Sequence, residues 1–377
     1  MSLTRRELIG LLTSTTALAL APHCLLASGT AETFYRDAIV IDGLGGPGGR
    51  AVDGEMPLNA LELADVRASG LTAIHLTIGR VGTMPSLEMF EHVVTDLANW
   101  EAEIDAHPET LARIRTVSDI QAARDANLTG LIYGLQDGVA FEDDLDRLRT
   151  FQQLGIRIIQ PTYNRRNLLG DGCMEPADAG LSRMGKEAIE TMNNLGILVD
   201  LSHCGRQTVV DALTVSTRPM SFTHTGSFSL AEHPRHRTDE EIRAIADGGG
   251  VIGVYIMPYL ARGQQPTADD VLQHIEHMIN IAGEDHVSIG TDGYVSPTSL
   301  TEEYIESFRE SIQSRVSRGI AAPFETETGY LFASDLNTPN RFETLADLML
   351  ERGHTEARVK KVLGGNLVRL FSETWKA

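Results

Sequence analysis

The chain has 377 residues, 42% hydrophobic and 22% charged, enough to bury a large core in one big domain or two smaller ones. Its formal net charge of −20 excludes nucleic acid and an anionic membrane surface as partners, since both select clustered Lys and Arg. Small molecules and peptides remain.

Thr4-Arg5-Arg6-Glu7-Leu8-Ile9 precedes "GLLTSTTALALA", a moderately apolar stretch followed by small residues. That layout predicts a twin-arginine export signal over residues 1–31, cleaved between Ala27 and Ala31, and a mature protein in the periplasm. The stretch is too short to span a membrane permanently. Cys24 has no lipobox before it, which argues against a lipid anchor. Cleavage leaves Cys173 and Cys204, whose pairing in an oxidising compartment stays open; two cysteines make no disulfide scaffold.

Residues 32–377 read as one domain, because no linker or low-complexity stretch interrupts them. Strands are predicted at 38–43, 71–79, 128–137, 156–163, 197–203, 219–225, 250–257 and 286–292, separated by helical patterns such as "GKEAIETMNNLG" and "ADDVLQHIEHMINIAG". Near-continuous apolar strands alternating with helices imply a parallel sheet covered by helices, and a count of eight favours a closed α/β (β/α)8 TIM-type barrel. A two-helix tail is expected from about Arg341 onward.

In such a barrel the chemistry sits at the C-terminal ends of the strands. Those ends read Leu44-Gly45-Gly46, Gly79, Gln136-Asp137, Tyr163-Asn164, His203, His224, Met257 and Asp292. His203 and His224 on adjacent strands, with Asp292 on the eighth, resemble part of a metal site, although zinc asks for three or four ligands and a lone strand-end histidine is more often structural. The remaining motifs are weak. "GLGGPGG" lacks the order and the later acid of a dinucleotide site, and neither HExxH nor GxSxG occurs. Arg165-Arg166 lies on a mouth loop, either solvated or holding an anionic substrate group.

"YRDAIVIDG", "GLSRMGKEAIETMNNLGILVDLSHCG", "MSFTHTGSFSLAEHPRHRTDEEIRAI", "VSIGTD" and "VLGGNLVRLF" resemble, in order and spacing from Tyr35 to Phe371, the membrane (renal-type) dipeptidases of peptidase family M19. The resemblance implies a zinc-dependent barrel hydrolase with two metal ions. It makes His203 and His224 ligands of one zinc, Arg235 the grip on the substrate carboxylate, and Asp292 the proton shuttle. Tyr163 stands where the family has a histidine that stabilises the tetrahedral intermediate, and Asn164 beside it is a further candidate for substrate binding. The other zinc would need His-x-Asp after "IDG" and a bridging glutamate. This sequence has Leu44, Gly46 and Gln136 there, so the ligands of one metal are missing, with Gln136 left as a weak donor.

The resulting expectation is an exported membrane-dipeptidase-like hydrolase cleaving dipeptides or related amides with a single zinc. The alternative is a non-hydrolytic member that binds or helps mature small exported peptides. Asp137 or His75 could replace the missing ligands, or could be packing and surface residues. Relatives commonly dimerise, which makes a homodimer an expectation from resemblance alone.

Overall fold

A computed structural model describes residues 34–49, 56–261, 263–323 and 325–375. The chain divides into two compact units, residues 1–37 and 38–377. In the first, residues 34–37 form a helical turn; the expected export signal and Cys24 lie outside the described residues. The second unit carries the fold.

Its strands are β1 (Ile41–Asp42), β2 (Gly45–Gly46), β3 (Ala73–Thr77), β4 (Leu111–Arg113), β5 (Thr129–Leu135), β6 (Ile156–Ile159), β7 (Leu198–Val199), β8 (Ser221–Thr225), β9 (Val251–Val254), β10 (Val287–Ile289) and β11 (Gly293–Tyr294). β1, β3, β5, β6 and β7 lie side by side, β8, β9 and β10 form a second set, and every ladder is parallel. Leu201 N–H donates to Ser221 O at 2.8 Å, joining β7 to β8, and Gly43 N–H donates to Ile289 O at 2.9 Å, joining β10 to β1. These bonds close the expected eight-stranded ring in the expected order. β4, three residues pairing only with the start of β5 at Thr129–Leu131, went unpredicted because "LAR" carries no apolar run. β2 and β11 pair Gly45 with Gly293 at the barrel mouth.

The ladders are shorter than the apolar runs that predicted them. Val40 and Leu44 flank the two laddered residues of β1 and are as buried as they are. Hydrophobicity in a barrel reports burial, and burial continues beyond the last ladder bond into the loops that cover the mouth. The tail also differs from expectation. After the helix Arg341–Glu351, a second helical stretch from Glu356 to Thr374 is interrupted at Lys361–Gly365. There Gly364 lies against the β1 backbone so closely that a Cβ would come within 2.5 Å of Ile39 O, so only glycine fits.

Alternation within β3 sends His75 into the barrel interior. Its Nδ1–H donates to Gly43 O at 2.7 Å, and its Nε2 faces Gly134, where any Cβ would sit 2.0 Å away. Asp42 is buried in the same interior. It accepts from Thr291 Oγ1 at 2.6 Å and from Thr291 N at 2.8 Å, yet burial outweighs these bonds and raises its carboxyl from 3.8 to about 7.

A raised folded-state value means that the folded chain holds a proton which the unfolded chain has released. Stability from this group is therefore full below 3.8 and is lost as pH climbs to about 7. Between pH 5 and pH 8, urea melts should show wild type losing about 2–3 kcal/mol more than Asp42→Asn. Equal losses in the two proteins would show that Asp42 titrates as an ordinary carboxylate.

Candidate active site at the barrel mouth

His203 and His224 are 3% and 0% exposed, and their Nε2 atoms lie 3.0 Å apart. What each ring can do at that contact is set by its other nitrogen. His203 Nδ1 is 2.7 Å from Asn164 Oδ1, and the Asn164 amide is oriented by its own Nδ2–H donating to Ile320 O at 2.9 Å. His203 must therefore donate from Nδ1. His224 Nδ1 is 2.8 Å from Thr223 Oγ1, which lies 2.6 Å from Asp200 Oδ2. Asp200 receives donors on both oxygens, from Ser202 N–H and O–H and from Thr223 N–H and O–H, the pattern of a carboxylate acting only as acceptor.

The chain Asp200, Thr223, His224, His203, Asn164 thus contains four contacts between two terminal acceptors, and one hydroxyl with two neutral imidazoles supplies three protons. The contact left without a proton is the one between the Nε2 atoms. Two lone pairs face each other there, an arrangement that a cation between them would relieve. A proton is disfavoured: burial, and then the Arg235 charge, hold both imidazoles well below their usual range. The two imidazoles would supply two of the three or four ligands that a zinc ion takes.

A second ion does not fit. Leu44 and Gly46 have no side-chain donor atom, and Gln136 uses its Nε2–H on Thr77 Oγ1 at 2.8 Å. Among the described residues no group of three or more His, Cys, Asp or Glu side chains is placed to hold a metal ion, so His203 and His224 stand as a pair without a third such ligand. Asp137 does not supply the missing carboxylate, because it accepts from Gly82 N–H at 2.9 Å and Asn167 Nδ2–H at 3.0 Å. Burial raises it to about 6. His75 uses its Nδ1–H on Gly43 O, and its buried Nε2 has no partner among the described residues.

Tyr163 stacks on His203 at 4.1 Å and 26°, and Arg315, from the helix Glu302–Ser317, points Nη2 at its hydroxyl from 3.4 Å. Burial raises the Tyr163 hydroxyl, keeping it a donor. Arg235 is 2% exposed and donates to Ser202 O and, at 3.3 Å, to His224 O. Its loop is pinned by Arg237, which bonds Leu201, Ser202 and Cys204 carbonyls and pairs with Glu241 in the helix Asp239–Asp247, capped by Thr238. Asp292 follows β10 with φ +56, a conformation a side-chain-bearing residue adopts at some cost, and its N–H donates to Leu44 O at 2.8 Å.

The basic pair is structural. Arg166 forks Asp171 at 2.5 and 2.9 Å, and Arg165 holds Gly319 O and Met174 O. Cys173 and Cys204 are free thiols, the former donating to Asn164 Oδ1 at 3.5 Å and the latter accepting from Thr162 at 3.3 Å. Sequence reasoning missed Asp200, Thr223 and Arg315. Asp200 and Thr223 stand beside the predicted histidines in "DLSH" and "FTHT" and were legible as partners; Arg315 lies 91 residues after His224, on a helix with no motif.

A family model described as membrane dipeptidase (peptidase family M19) matches residues 57–303. The chain belongs to this family. The matched span begins beyond Leu44 and Gly46. An amidohydrolase from Pseudomonas aeruginosa is 33% identical, with a TM-score of 0.78 over 92% of this chain and 99% of that one. A metallo peptidase from Rhodobacter sphaeroides, solved with a phosphinate mimic of the dipeptide L-Ala-D-Ala, has a TM-score of 0.74 at 19% identity over 90% of this chain and all of that one, a likeness of fold. Dipeptidase verJ of Clonostachys rogersoniana is 26% identical over 271 residues, 71% of this chain and 61% of that protein. The chain spans about half the length of such curated relatives, 46%, 61% and 43% for three of them.

Proposed function

We propose that the chain is an exported hydrolase of dipeptides or related amides that works with one zinc ion held by His203 and His224. The observation that carries this reading is the pair of Nε2 lone pairs converging at 3.0 Å with one proton too few among their partners. When bound, such an ion supplies Lewis acidity to a carbonyl and acidifies water near neutral pH. The chain's own residues do the rest. Arg235 fixes the substrate carboxylate through its planar guanidinium. Asp292, held in place by Leu44 O, accepts a proton from water and returns it to the leaving amine. Tyr163 donates its hydroxyl hydrogen to the developing oxyanion, with Arg315 sharpening that donor. Gln136, anchored on Thr77, closes the wall where a second ion would lie.

Turnover of Ala-Ala and of a dehydrodipeptide by the zinc-loaded protein, lost on chelation and regained with zinc, tests the reading. Zinc binding without turnover would favour the non-hydrolytic alternative, a peptide-binding or peptide-maturing role, to which the absent bridging carboxylate already lends weight. No helix among the described residues is long and apolar enough to cross a membrane. Export to the periplasm rests on the paired arginines of the N-terminus. Arg5→Lys combined with Arg6→Lys should leave the protein in the cytoplasm with its signal uncleaved, and unchanged periplasmic recovery would refute the route. A homodimer is proposed on resemblance alone, and a solution mass equal to one chain removes it.

A further inference from the structure

Beside the histidine pair, the loops over the mouth enclose a cavity of about 1130 Å3. Sites for drug-sized ligands run roughly 300–1,000 Å3. Two amino-acid residues would leave most of this one to water, so its size alone calls for a longer ligand.

The wall states the chemistry. Phe228 and Tyr259 supply planar apolar faces, and the Arg206 guanidinium lies over the Phe228 ring at 4.6 Å. Arg206, exposed in the same wall, brings a positive charge to it. The cavity is also joined to the reacting centre. Its Cys173 thiol donates to the same Asn164 Oδ1 that receives His203 Nδ1–H, and Arg237 grips the Ser202 and Cys204 carbonyls on either side of His203.

We infer that this cavity is an extended subsite for a peptide or acyl amide longer than a dipeptide. A planar side chain of the ligand packs against Phe228 and Tyr259, and a carboxylate meets Arg206. The inference rests on the proposed hydrolase only for the fate of the ligand; binding stands apart from turnover.

Calorimetric titration of the full chain with Ala-Ala-Phe-Ala, its C-terminal amide and Ala-Ala tests it. The tetrapeptide acid should bind at least about tenfold tighter than the other two. Arg206→Ala should erase the preference for acid over amide. Phe228→Ala should weaken the tetrapeptide by about tenfold and leave Ala-Ala unchanged. Thr328→Trp, at an exposed position on the rim, narrows the cavity and gives the same loss should Phe228→Ala fail to fold. Equal affinity for Ala-Ala and the tetrapeptide, a preference intact in these variants, or no binding by any probe overturns the inference. Tight tetrapeptide binding without cleavage upholds the subsite and sinks the hydrolase, whereas cleavage of Ala-Ala with no preference for length does the reverse.

Discussion

Bound zinc should fall to background in His224→Gln, and peptide hydrolysis should fall by at least about 10^3, because a single imidazole cannot retain the ion. That result alone would follow from any two-histidine site. The proton count adds a sharper case. Asp200 touches neither imidazole ring, yet as an acceptor it draws the Thr223 hydroxyl hydrogen away and forces His224 to donate from Nδ1. In Asp200→Asn the new amide can donate to Thr223 Oγ1. Thr223 then donates to His224 Nδ1, His224 becomes the Nε2–H tautomer, and its hydrogen fills the contact with His203. The pair is satisfied without a cation, so zinc affinity should drop by about 10–100-fold with both ligands intact. Metal titration of the two variants beside wild type checks this, and Asp200→Asn binding zinc as wild type does would show that the tautomer chain does not govern the site.

The second large effect is restoration of the missing centre. Leu44→His, Gly46→Asp and Gln136→Glu together should raise bound zinc from about one ion toward about two per chain, since ligand type and count dominate site formation. The structure adds a condition. A Cβ at residue 46 would come within 3.0 Å of the Tyr294 ring, so the carboxylate introduced by Gly46→Asp cannot enter until that ring moves. Tyr294 is 36% exposed and can give way at some cost. Adding Tyr294→Ala to the triple should therefore raise zinc occupancy above that of the triple alone. Activity should follow less fully, because the Tyr163–His203 stack and the Arg315 contact stay as they are. Zinc content no higher in either variant than in the parent would mean that the first and third barrel strands do not present these positions to a common point.

Much of this architecture was legible in the sequence. Apolar runs bounded by glycines and helical patterns gave all eight barrel strands in order, because a two-sided buried strand leaves an unbroken hydrophobic signature. Strand ends were misjudged for the same reason: Val40 and Leu44 are as buried as the laddered Ile41. His203 and His224 were found as strand-end histidines, but their partnership depends on Thr223 and Asn164 rotamers and on which nitrogen carries hydrogen, which no spacing encodes. Arg165 and Arg166 read either as solvated or as holding an anionic substrate group; the structure uses them on Gly319, Met174 and Asp171. Arg315 reaches the site only because the segment after its helix folds across the mouth, where Ile320 O also takes the Asn164 amide. Such contacts between distant segments leave no local pattern to read.

The central claim is that one cation, and not two, belongs between His203 and His224. The direct test is elemental analysis of the mature protein after saturation with zinc and removal of loosely held metal, read beside His224→Gln. The account predicts about one zinc per chain in the parent and none above background in the variant. A parent holding no zinc, or holding close to two ions, would contradict it.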